Sequence, residues 1–205
     1  DFFMYVGHVQ FTQKSWQQRN KIRLGLKEYL LSVPVIKSKR FGQSIDDVKI
    51  DGNAWKRKHL GTIKQAYRAK PFFDQYFPEL EQTIAVDYET LGELNRATVS
   101  LLRKWLQIST PILESYDFPT IKSSKTKMLI EMCNAVGSDC YLSNEGSRVY
   151  VDESLMAEHG IQHCWQNFVH PIYNQGNDIF IPNMSAIDLV FSVGPGASIM
   201  VRNSG

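Results

Sequence analysis

The order of elements between Lys125 and Phe168 constrains this chain more than any other feature. Met128, Leu129, Met132 and Cys133 recur at helical spacing over Lys125–Val136, and Gly137 supplies the stop. Cys140-Tyr141-Leu142 reads as a short buried strand, followed by a turn from Ser143 to Ser147. A second helix over Glu153–Glu158 ends at Gly160, and a second strand runs from Ile161 to Phe168. Two parallel strands can be joined only by a crossover, usually a helix, so this order predicts βαβ organisation. The expectation is an α/β fold with a mostly parallel, Rossmann-like sheet.

The rest of the chain is fitted around that unit. Phe2 to Phe11 is rich in aromatic and β-branched residues and reads as strand. It gives way to a polar loop ending in Arg19-Asn20, with Trp16 as its hydrophobic anchor. Tyr29 to Ile36 reads as a second extended stretch, ended or confined to an edge by Pro34, and Ile45 to Ile50 as a strand-like return. Asp51-Gly52-Asn53 signals a helix start, and Trp55, His59, Ile63 and Tyr67 then recur every four residues. Pro71 separates this helix from another through Leu80, and a third spans about Tyr88 to Gln107. The region 53–107 is thus a helical insertion in the middle of the chain. Asn95 lies near the apolar stripe of the third helix and needs a polar partner. A last helix is expected over Ser185–Phe191, with Ser185 as N-cap and Asp188 in its favourable first turn. The expectation is a single α/β domain over 1–205.

Charge is where the two ends differ. Residues 1–70 carry 15 Lys and Arg against 5 Asp and Glu, whereas residues 71–205 carry 8 against 16. A basic front third suits an anionic partner such as a phosphate-bearing small molecule, and no module for nucleic acid is recognisable. No apolar run reaches the ~18 residues of a membrane span. Cys133, Cys140 and Cys164 are odd in number and lack CxxC spacing, which argues against a disulfide framework or zinc site. A reducing, cytoplasmic location is expected. The chain begins at Asp1 inside a strand-like run, as if something upstream has been removed.

Candidate chemistry falls in three places. Arg19 offers a planar fork for phosphate or carboxylate, and Asn20 can donate and accept. The Ser143–Ser147 loop follows a strand, where an open α/β sheet places its ligands, although neither a Walker loop nor a dinucleotide fingerprint is present. His170 joins a near-neutral base to Tyr173 and Gln175, with Asp178 close behind. His59, on the apolar face of its helix, fits a core role as well as a catalytic one. His8, His59, His159, His163 and His170 form no metal-binding pair by spacing, and no GxSxG nucleophile motif occurs. These residues alone describe a polar, anion-friendly pocket and name no reaction.

Taken together, the motifs resemble the WbqC-like family of bacterial surface-polysaccharide gene clusters. The resemblance rests on Val9-Gln10-Phe11, Ser15-Trp16, Arg19-Asn20-Lys21-Ile22, Val33-Pro34-Val35 and Phe41-Gly42-Gln43-Ser44-Ile45. It continues through Trp55, His59, Ile63, Tyr67, Lys125-Thr126, Tyr141-Leu142-Ser143, Gly146-Ser147 and Tyr150 to His170-Pro171, Tyr173, Gln175, Ser185 and Asp188-Leu189. Three departures stand out. The family's opening segment with Gln-Pro and Pro-Trp is missing, Gly7-His8 stands where acidic residues are usual, and Ser192 replaces a common Asn.

The resemblance implies a group transferase of O-antigen biosynthesis that attaches an acyl or aminoacyl group to a nucleotide-linked amino sugar. The donor would be an acyl-CoA or a carrier-bound acyl group, and no metal is implied. In that reading His170 is the first choice of base and His59 the second. Arg19 with Lys14 or Lys125 holds phosphate, Asn20, Ser147 and Tyr150 orient sugar or carbonyl, and Gln10, Ser143, Tyr173 and Gln175 complete the binding residues. A nucleotide-dependent ligase or nucleotidyltransferase, and a non-catalytic sugar-nucleotide-binding module, are the competing readings.

Overall fold

The computed structural model describes residues 1–36, 42–176 and 179–205, so Phe41 and Asp178 lie outside the described residues. In chain order the elements are β1 (Phe3–Tyr5), β2 (Arg19–Leu24), β3 (Lys27–Ser32), α1 (Ala54–Tyr67), α2 (Phe73–Ala85) and α3 (Leu91–Trp105). There follow β4 (Ile112–Glu114), α4 (Lys125–Val136), β5 (Cys140–Ser143), α5 (Glu153–Glu158), β6 (Gln162–Trp165), α6 (Ala186–Val193) and α7 (Ala197–Arg202). They group into two compact units, one of residues 1–7, 110–169 and 205, the other of residues 8–109 and 170–204.

The smaller unit contains both parallel pairings. β1 lies beside β4, and β5 beside β6 with Ser143 opposite Trp165. The expected βαβ crossover is α5, whose N-cap Asp152 accepts from the Leu155 amide at 3.1 Å. α4 keeps its expected bounds and turns Leu129, Ile130, Met132 and Cys133 onto Met156 and Ile161. The α/β class therefore holds, but the sheets among the described residues are separate two-stranded pairs rather than one continuous doubly wound sheet.

The larger unit is mainly helical around an antiparallel hairpin. The stripe Trp55, His59, Ile63 and Tyr67 is buried as its period requires. α2 and α3 add Phe73, Phe77, Leu80, Leu94, Leu101 and Trp105, and α6 brings Phe191, fully buried against Tyr67 and Phe73. α3 starts at a capping box in which Thr90 and Glu93 bond each other's backbone amides. Asn95 finds its partner in the Gln17 carbonyl, 2.9 Å away. Among the described residues no helix is long and apolar enough to cross a membrane.

Several local expectations are corrected. Arg19 and Asn20 do not end a loop; they begin β2, paired with Ser32 and Leu31. The extended N-terminal run forms only β1 plus an isolated bridge from Gln10 to Ser44, because a turn at Gly7-His8 separates them. Trp16 is 66% exposed, with the Lys21 ammonium over its ring, so it anchors nothing inside. Ile45–Ile50 makes bridges rather than a strand. Ser185 occupies the N-cap position of α6 without a capping side-chain bond; instead its amide donates to the Lys21 carbonyl.

Candidate functional site

The larger unit contains a pocket of about 220 Å³ lined by Arg23, Gly25, Tyr67, Lys70, Gln175 and Gly176, with Ala66 and Ala69. Its construction starts at the edge of β2. In an antiparallel pair alternate residues turn their peptide groups away from the partner strand. β2 does so at Lys21, whose carbonyl takes the Ser185 amide, and at Arg23, whose amide donates to the Tyr67 hydroxyl at 3.0 Å. The same residue then sends its side chain into the pocket wall. Arg23 Nε donates to the Gly25 carbonyl at 2.9 Å, and Nη1 to Gln175 Oε1 at 2.5 Å and the Ile179 carbonyl at 2.8 Å. Nη2 is buried without a hydrogen-bond partner.

Gln175 is the hub. Its Oε1 also accepts from the Ile181 amide, while Nε2 donates to the Ile181 carbonyl and to Asp188 Oδ2, each at 2.9 Å. Its carbonyl accepts from Lys70 Nζ. Asp188 is fully buried and also accepts from the Tyr173 hydroxyl at 2.7 Å, leaving Oδ1 without a partner. Burial, and then the Asp188 charge, push the Tyr67 and Tyr173 phenols far above their ordinary range, so both stay protonated donors. Lys70 is pulled below the usual lysine value, first by desolvation and also by Arg23, while Asp188 works the other way. An anion entering here would meet two cations, Arg23 buried and Lys70 half-buried. That is an arrangement for phosphate or carboxylate.

The nominated residues are distributed as follows. Tyr173 and Gln175 belong to this network. His170 lies beside it, its ring 6.3 Å from that of Tyr173 and 5.7 Å from that of Phe180, with Nδ1 2.9 Å from the Pro171 carbonyl. His59 Nε2 is 3.1 Å from the Ser32 carbonyl, its ring edge-on to Trp55, and burial lowers its pKa. Lys14 is exposed at φ 58°, its amide held by Gln18, and Gln10 is exposed at its bridge. Arg19 and Asn20 sit at the start of the strand that supplies the pocket's arginine four residues later.

Lys125, Ser143, Ser147 and Tyr150 lie in the smaller unit. Lys125 is exposed at the start of α4. The Tyr150 hydroxyl donates to Ser147 Oγ at 3.0 Å, and its carbonyl accepts from Thr126. Ser143, at the carboxyl end of β5, has its Oγ 2.7 Å from His163 Nε2. His163 Nδ1 is buried and faces Glu153 Oε2 at 4.0 Å, and the other oxygen of Glu153 accepts from Trp165 Nε1 at 3.0 Å.

Sequence reading missed Arg23, Lys70, His163 and Glu153. Arg23 leaves little signal: it shares its face of β2 with Arg19 and Lys21, and a run this polar does not read as a strand. His163 has no spacing signal: its neighbour His159 lies across Gly160, and its partner Ser143 stands on the adjacent strand.

An α/β protein with a cationic pocket of this kind is the class that fold and site define. Comparison with known proteins makes it specific: the WbqC-like protein family matches residues 1–199, and the chain belongs to that family. It is 30% identical over 204 residues to the uncharacterized protein Rv1507c of Mycobacterium tuberculosis, covering 98% of this chain and 88% of that one. No solved structure matches the chain.

Proposed function

We propose that this protein is a group transferase of bacterial surface-polysaccharide biosynthesis, acting on a nucleotide-linked amino sugar bound through its diphosphate at Arg23 and Lys70. The observation that carries the reading is the convergence of these two desolvated cations on one pocket, with Arg23 Nη2 left without a partner. A buried donor with no acceptor costs stability, so a site that keeps Nη2 in that state is suited to a ligand that supplies the acceptor. Membership of the WbqC-like family supports the polysaccharide setting, and the acyl or aminoacyl group follows from the same resemblance.

Gln175 fixes the cations rather than reacts. Held by Asp188 and the Ile181 backbone, it accepts from both the guanidinium and the ammonium and gives them one geometry before the ligand arrives, which lowers the ordering cost of binding. His170, packed on Tyr173, serves as base for the incoming amine. The sugar and acyl carbonyl would be oriented by polar groups at the pocket rim.

A thermal-shift panel tests this. Nucleoside diphosphate sugars should raise the melting temperature at concentrations where the free neutral sugars do nothing, since binding to the folded state stabilises it as the logarithm of ligand excess. Turnover of a bound sugar nucleotide with an acyl thioester distinguishes a transferase from a module that only binds. Equal shifts from neutral and charged ligands would remove the anion site from the account.

A further inference from the structure

We infer that Ser143, His163 and Glu153 form a nucleophilic relay in the smaller unit, which takes an acyl group from a thioester as a serine ester. The three side chains come from three different elements, the end of β5, the middle of β6 and the first turn of α5. Ser143 Oγ lies 2.7 Å from His163 Nε2, and His163 Nδ1 faces a carboxylate oxygen at 4.0 Å. With Nε2 accepting the serine proton, Nδ1 carries the ring's hydrogen toward Glu153, the tautomer that a nucleophile, base and orienting carboxylate require.

Two features separate this from an incidental strand-to-strand hydrogen bond. The His163 side chain is only 2% exposed, yet Nδ1 has no hydrogen-bond partner, which a purely structural histidine would avoid. The carboxylate is also held in place, since Trp165 donates to it and the Arg148 guanidinium lies over the Trp165 ring at 4.2 Å. Ser143 itself retains 5% exposure at the carboxyl end of a parallel strand, the end at which open α/β sheets bind ligands.

The chemistry balances without a metal or redox partner. Ser143 Oγ attacks the thioester carbonyl, forming a C–O bond as its proton passes to His163 Nε2. The C–S bond breaks, and that proton leaves on the thiolate as a free thiol. Water then attacks the serine ester; His163 takes its proton and returns it to Ser143 Oγ as the ester bond breaks. Glu153 is a positioning residue that stabilises the imidazolium between these steps.

The inference rests on the acyl-transfer reading for its substrate class, but not on the Arg23 pocket. The test treats the intact protein with a fluorophosphonate and, separately, with a short acyl-N-acetylcysteamine thioester, and locates adducts by mass spectrometry. Wild type should be modified on Ser143 by both, and Ser143→Ala by neither. Glu153→Gln, which changes an exposed side chain, should slow labelling at least tenfold. Glu153→Asp, which keeps the carboxylate, should retain more of the labelling rate than Glu153→Gln. Wild type that takes up neither reagent, or Ser143→Ala that is modified like wild type, overturns the relay. Nucleotide-sugar binding measured on the same samples fails or holds independently of that result.

Discussion

The guanidinium of Arg23 is 3% exposed, and every contact it makes is to a neutral group: a glutamine oxygen and two backbone carbonyls. Removing Gln175, which bonds Arg23 and Asp188 at once, should therefore cost more than an ordinary side-chain bond. Gln175→Leu is expected to lose about 2–4 kcal/mol in urea unfolding, from buried charged groups deprived of partners. Lys70 gives a pH signature. Its folded pKa lies below the ordinary lysine value, so its charge is lost earlier as pH rises, and affinity for a diphosphate should weaken on the alkaline side before free lysines titrate. His59 acts on folding in the acid range. Burial lowers its folded pKa beneath the unfolded value of 6.5, so the folded state binds fewer protons between the two. Stability is then lost as pH falls below about 6.5, and His59→Asn should flatten that limb when unfolding is followed from neutral pH to about pH 5.

Elements explain what could be read in advance and what could not. α1 and α4 were legible because each places its apolar residues at helical spacing, and α5 because Asp152 and Gly160 bound it as start and stop signals. β2 was not, because Arg19-Asn20-Lys21-Ile22-Arg23-Leu24 has too many polar side chains to look like a strand; it is stabilised by pairing with β3 and by Tyr67 and Ser185 along its other edge. The pocket was hidden with it. Gln175 and Tyr173 could be nominated as polar residues after a histidine, but their partners come from β2, the end of α1 and α6, distant in sequence. Asp188 looked like a dipole-pairing carboxylate and proved to be a buried acceptor. The junction after α6 is tightly packed. Gly194 has φ 65° and ψ −134°, and a Cβ there would meet the Phe72 ring at 2.4 Å. Gly194→Ala should cost about 2–4 kcal/mol by urea unfolding, from backbone strain plus overpacking.

At the scale of the whole chain, the basic front third and the acidic remainder are not spread evenly over the architecture. Both pocket cations come from the basic third, whereas Gln175 and Asp188, which hold Arg23 in place and temper its charge, come from the C-terminal segment of the same unit. The serine, histidine and glutamate of the relay all belong to the other unit. The proposed anion pocket and the proposed relay thus belong to separate compact units of one α/β protein of the WbqC-like family.

The central claim is that Arg23 and Lys70 hold the diphosphate of a nucleotide sugar. It is tested most directly by isothermal titration of a nucleoside diphosphate sugar into wild type, Lys70→Gln and, as a control on the exposed face of α4, Lys127→Gln. Loss of one charge-assisted contact of about 1.5–3 kcal/mol predicts affinity at least tenfold weaker for Lys70→Gln, with Lys127→Gln like wild type. Equal affinity in all three proteins would contradict the claim.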